Sequence, residues 1–73
     1  MPESPSRLHI VRIKRGFTQR ELARRAGMHR NSIAKLENGT ARSVTAEHAR
    51  ALAAVLQTSI ADLELRVRAN TAP

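Results

Sequence analysis

The stretch "GFTQRELARRAGMHRNSIAKLENG", residues 16–39, decides how this chain is read. Gly16 and Gly27 bracket a short helical segment. Thr18, with Glu21 three residues on, forms the capping-box pattern that starts it. Leu22, Ala23 and Ala26 fall on one side, and Arg20, Arg24 and Arg25 fall elsewhere. Gly27 ends the segment and permits a tight turn. His29 is then placed to cap a second segment from about Arg30 to Glu37, with Ile33 and Leu36 inward. Asn38-Gly39 closes it with residues suited to the left-handed conformation. The small Ala23 and Ala26 allow the two helices to approach closely, so Ile33 and Leu36 can enter a shared core.

The same reading extends in both directions. Ser4 and Pro5 read as a cap followed by proline at the first helical position. Leu8, Val11 and Arg12 then share one face, with Ile10 and Ile13 on an adjoining stripe, and Gly16 stops the helix. Beyond the loop "TARSV", Thr45 caps a fourth helix in which Ala49, Leu52, Ala53 and Leu56 recur at spacings of three and four. Ser59 with Asp62 starts a fifth helix, carrying Ile60 and Leu63. No strand pattern, repeat or interdomain linker is visible. The expected fold is all-α, a compact bundle of five short helices. Residues 1–6 form an arm, 7–67 the domain and 68–73 a fraying, flexible tail.

At 73 residues the chain is one small domain, marginal by itself because it buries little of its surface. It has no cysteine, so neither a disulfide nor a thiolate metal site can support it. The formal charge of +7 is unevenly placed. Residues 7–42 hold ten Lys or Arg against two acids, Glu21 and Glu37, a net of +8; the remainder holds three against four, a net of −1. Such a basic half points to a polyanion. Phe17 is the sole aromatic residue, which argues against the stacking surfaces used on single strands and leaves duplex DNA. His9, His29 and His48 lack metal-gathering spacing and read as surface or capping residues. No catalytic set stands out, no cofactor or small-molecule ligand is evident, and no apolar run approaches the ~20 residues of a membrane span.

A helix, a three- to four-residue turn and a second helix form the packing unit whose second helix enters the DNA major groove. In sequence, residues 16–39 closely resemble the Cro/cI-type (XRE-like) helix-turn-helix family of phage and bacterial regulators. The matching features are the "TQ-x-x-LA" opening, "AG" at the turn, "S-I-x-x-L-E-x-G" through the third helix, and "VLQTSIADL" later. The resemblance covers roughly residues 7–65. It implies a lambda-repressor-like five-helix domain with the motif on helices two and three. Gln57 stands where the family often has glycine, so the turn into the fifth helix is expected to hold a non-glycine residue in a strained conformation. "TARSVT" replaces the family's frequent proline or basic loop, leaving Arg42 as its basic backbone contact.

The resemblance also places the start and outer face of the third helix against base edges. Chemistry then assigns the roles: Arg30 and Lys35 to guanine, Asn31 to adenine, and Ala34 to a thymine methyl. Thr18 and Gln19 open the second helix, where outward backbone N–H groups favour a phosphate, and Gln19 either contacts that phosphate or braces Arg30. Ser32, Asn38, Thr40 and Arg42 are further backbone contacts, which fix register without reading sequence. The resemblance implies a partly buried ion pair between Arg12 and Glu37.

The expected function is sequence-specific binding of double-stranded DNA by a cytoplasmic, nucleoid-associated homodimer that acts as repressor or autoregulator. With no second domain for sensing, control would rest on its own concentration. Ile60, Leu63, Leu65 and Val67 are the candidate dimer surface, with Ile10 and Ile13 as the second choice. The competing reading is an antitoxin or protein-interaction adaptor on the same fold, its partner covering Ile10, Ile13 or Leu65.

Overall fold

A computed structural model describes residues 6–41 and 43–68. Along the chain they form α1 (Arg7–Arg15), α2 (Gln19–Ala26), α3 (Arg30–Asn38), β1 (Val44–Thr45), α4 (Ala46–Leu56), α5 (Ile60–Leu63) and β2 (Val67–Arg68). The helices bury the stripes that their periodicity marks: Leu8 and Val11 from α1; Leu22, Ala23 and Ala26 from α2; Ile33 from α3; Leu52, Ala53 and Leu56 from α4; Leu63 from α5. Phe17, Met28, Leu36 and Ile60 pack around this core half-buried.

Hydroxyl caps set four of the five helix starts. Thr18, Thr45 and Ser59 accept from the backbone N–H groups of Glu21, His48 and Asp62. The cap of α1 is Ser6, which accepts from His9 N at 3.1 Å. The sequence reading put this cap two residues earlier, at Ser4; Ser4 and Pro5 lie outside the described residues. His29 occupies the cap position of α3, yet its side chain makes no capping bond.

Turns come from left-handed residues. A Cβ at Gly27 would meet no atom within 4 Å, so glycine serves there only for its φ of 72°. Gln57 adopts φ 56° and ψ 49° without glycine's freedom, and its N–H still closes α4 on Ala53 and Ala54 carbonyls. This is the strained turn expected at the departure from the family pattern.

Beyond α5 the chain departs from the sequence reading. Glu64, with φ 53°, ends α5 after four residues. The chain then runs extended, and Val44 N donates to Arg66 O at 2.9 Å. β1 and β2 pair in parallel, Val44 with Val67 and Thr45 with Arg68. A ladder of two residues per strand is too short to leave an alternation in sequence. Arg68, expected as the first residue of the tail, pairs with Thr45 in this ladder, while residues 69–73 lie outside the described residues. Leu63, offered as dimer surface, is 2% exposed and belongs to the core.

Replacing Gln57 by glycine should relieve the left-handed strain. The expected gain is about 0.5–1 kcal/mol, read from the urea midpoint at unchanged m-value. A loss of stability would show that Gln57's side chain contributes more than its backbone costs.

Candidate nucleic-acid interface

The outer face of α3 follows from its buried one. Ile33 is fully buried and Leu36 packs half-buried on the core, which turns Arg30, Asn31 and Lys35 to solvent, with Ala34 half-exposed between them. Spacings of one, four and five residues put these four on one strip of the helix. Ser32 is half-buried beside that strip. The start of α3 adds unpaired backbone N–H groups, because His29 supplies no side-chain cap.

The strip is held in place from behind by Glu37. Its carboxylate, on a side chain only 4% exposed, takes a two-pronged pair from Arg12: Nε to Oε2 at 2.5 Å and Nη2 to Oε1 at 3.0 Å. Gln19 Nε2 donates to Oε1 at 3.1 Å, and His9 Nδ1 lies 2.8 Å from the same oxygen. Arg12 also donates through Nη1 to Phe17 O at 2.7 Å, closing the turn between α1 and α2. One buried carboxylate thus joins α1, the first residue of α2, and α3. Burial pushes the Glu37 carboxyl up, but the hydrogen bonds from Arg12, His9 and Gln19 and the charge of Arg12 outweigh it. The group is held below its ordinary value.

The remaining candidates are distributed around this knot. Gln19, half-buried, is committed to Glu37 and not to Arg30, because the first turn of α2 faces the last turn of α3. Thr18 and Thr40 are exposed, and Asn38 accepts from Thr40 N at 2.9 Å, shaping the turn after α3. Arg42 lies outside the described residues. His9, read from sequence as a surface or capping residue, instead joins the carboxylate. The signal available was its position three before Arg12, on the same face of α1.

The cations of α1, α2 and α3 divide into two sets. Arg7 donates to Asp62 O at 3.2 Å and Arg15 to Gln57 O at 3.3 Å. Arg25 stands 5.5 Å over the Phe17 ring, and Arg12 is buried with Glu37. The side chains of Lys14, Arg20, Arg24, Arg30 and Lys35 make no hydrogen bond or ion pair among the described residues and are exposed. Arg20, Arg24, Arg30 and Lys35 lie on the α2–α3 unit, and Lys14 lies on α1. Among the described residues no cluster of three or more metal-ligating side chains occurs, and no helix is long and apolar enough to cross a membrane.

A helix-turn-helix family model matches residues 8–63, most of the chain. No curated protein matches it.

Removing Arg12 would leave Glu37 charged and buried. Arg12→Ala should therefore cost about 3–5 kcal/mol by chemical denaturation, against less than about 0.5 kcal/mol for exposed Arg20→Ala. Because the Glu37 carboxyl is depressed in the folded state, its contribution is present above the ordinary carboxylate range. It is lost as pH falls through the depressed value. Melting curves of Glu37→Gln should accordingly show a flatter acid limb than wild type. An equally steep limb would mean that other carboxylates carry the acid sensitivity.

Proposed function

Because the chain belongs to the Cro/C1-type helix-turn-helix family of DNA-binding regulators, we propose that it is a repressor or autoregulator that binds a near-palindromic operator as a homodimer in the cytoplasm, on the nucleoid. The observation that carries this reading is the strip of Arg30, Asn31, Ala34 and Lys35 on a helix whose orientation is fixed from behind by Glu37. A side chain reads a base edge only when its helix has one orientation in the groove, and the buried carboxylate knot supplies that orientation. Arg30 suits guanine O6 and N7, Asn31 suits adenine N6 and N7, and Ala34 suits a thymine methyl. Thr18, Ser32, Asn38, Thr40 and Arg42 serve the phosphates, together with the first N–H groups of α2 and α3.

One such helix covers few base pairs, so two are needed for operator specificity. A two-fold dimer sets them about 34 Å apart on one face of the duplex. The exposed large apolar residues that support such a dimer are Val67, 40% exposed, and the α1 pair Ile10 and Ile13, 39% and 56% exposed. Val67, two residues after half-buried Leu65 and beyond the half-buried Ile60 of α5, is the first choice. The α1 pair is the surface that an antitoxin-like or adaptor reading would use.

Binding to promoter-derived duplexes should fall steeply with salt, by about 0.9 in log K per log salt for each neutralised phosphate. Arg30→Ala and Asn31→Ala should each relax preference at one base pair per half-site by about 1–3 kcal/mol. Arg42→Ala should weaken all sequences alike. Identical behaviour of Arg30→Ala and Arg42→Ala across an operator library would remove α3 as the reader. Sedimentation of wild type, Val67→Asp and Ile13→Asp tests the dimer: a wild type that is monomeric at tens of micromolar and binds half-sites as tightly as palindromes would sink it.

A further inference from the structure

We propose that the cleft between α3, β1 and β2 is a seat for a backbone phosphate, in which Arg68 on β2 acts with Lys35 on α3. The proposal rests on the reading of the chain as a duplex-DNA binder and extends its contact surface to the C-terminal strand. The cleft, open to solvent, holds about 240 Å³, room for a phosphate group together with water. Lys35, Arg68, His48, Ser32 and Ser43 contribute to its walls, and among the described residues no carboxylate lines it. Two cations and the hydroxyls of Ser32, Ser43 and Thr45 stand around one opening, over a floor to which Met28, Leu36 and Val44 contribute, and this polar rim suits a single tetrahedral anion.

Arg68 arrives there through backbone pairing alone. The parallel register sets it beside Thr45, immediately before the first residue of α4. The start of this 11-residue helix adds its positive dipole end on that side. Lys35 and Arg68 are both exposed, and neither side chain makes an ion pair or hydrogen bond among the described residues. Bringing two like charges to one cleft is unfavourable unless an anion arrives between them.

The choice of DNA phosphate over a small soluble anion follows from position. Lys35 is shared between the cleft and the strip that faces the bases, and the cations lie at the surface, where a duplex backbone can reach them. Lys35 is thereby moved from the base-reading set to the backbone set. Arg68, which composition and periodicity leave in the tail, joins it.

The test uses the full chain and anisotropy titrations against a duplex library over a salt series. Arg68→Gln keeps the strand's backbone and should keep the melting temperature. It should weaken binding about tenfold for every sequence, the worth of one charge-assisted bond. It should also flatten the salt slope by about 0.9 per subunit. Lys35→Gln should behave the same way, uniformly across sequences. Arg66→Gln removes the same charge outside the cleft and should change affinity less than twofold. If Arg68→Gln matches Arg66→Gln while Arg30→Ala still relaxes base preference, the phosphate seat is wrong and the DNA-reading helix stands. If wild type binds no duplex, the functional reading itself falls. Saturable shifts at Ser32 and His48 on adding inorganic phosphate alone, unaffected by duplex, would assign the cleft to a free anion and overturn the proposal.

Discussion

The buried carboxylate of Glu37 is the point on which the arrangement of the molecule turns. An ionised carboxylate on a side chain 4% exposed is tolerable only if its oxygens are fully occupied. Here they are occupied by donors from two other helices. Arg12 and His9 come from α1 and Gln19 from the first turn of α2. Directional bonds to a planar acceptor specify angles as well as contacts, whereas an apolar core of small residues specifies mainly volume. The angle of α3 to α1 and α2 therefore depends on this group more than on Ile33 or Leu36. That burial fixes the position of the exposed strip on α3.

The core beneath is modest and is assembled from short helices joined by left-handed residues. Small side chains on α2 and α4, Ala23, Ala26, Ala49 and Ala53, let helix axes approach, and leucines from α1, α2, α4 and α5 fill the centre. Two of the left-handed positions, Gln57 and Glu64, are not glycine. Each stores a small strain, about 1 kcal/mol or more. Glu64 redirects the chain so that its last described residues return to pair beside the start of α4. That return links the C-terminal segment to α3 through β1, and it carries Arg68 to the cleft.

Charge is sorted by the fold into structural and available groups. Arg7, Arg12, Arg15 and Arg25 tie helices together or cover Phe17, while Lys14, Arg20, Arg24, Arg30 and Lys35 remain exposed. The basic excess of residues 7–42 is thus only partly an electrostatic footprint. Most of the portion that remains, Arg20, Arg24, Arg30 and Lys35, lies on α2 and α3.

Local rules determined most of the architecture from sequence. Periodicity placed the core stripes, hydroxyl residues three before an N–H placed the caps at Thr18, Thr45 and Ser59, and Gly27 marked a turn, because each of these depends on residues within one or two helical turns; the turn at Gln57 was expected only from the family resemblance. The motif in residues 16–39 carried the family, and with it the expectation of an Arg12–Glu37 pair. Tertiary structure decided what rests on long-range placement. It gave Gln19 to Glu37 and not to Arg30, and it drew His9 into the same carboxylate. It consumed Leu63 in the core, and it paired residues 67–68 with 44–45. None of these leaves a local pattern: a two-residue ladder has no period, and a side chain's partner across helices is fixed only when the helices have docked.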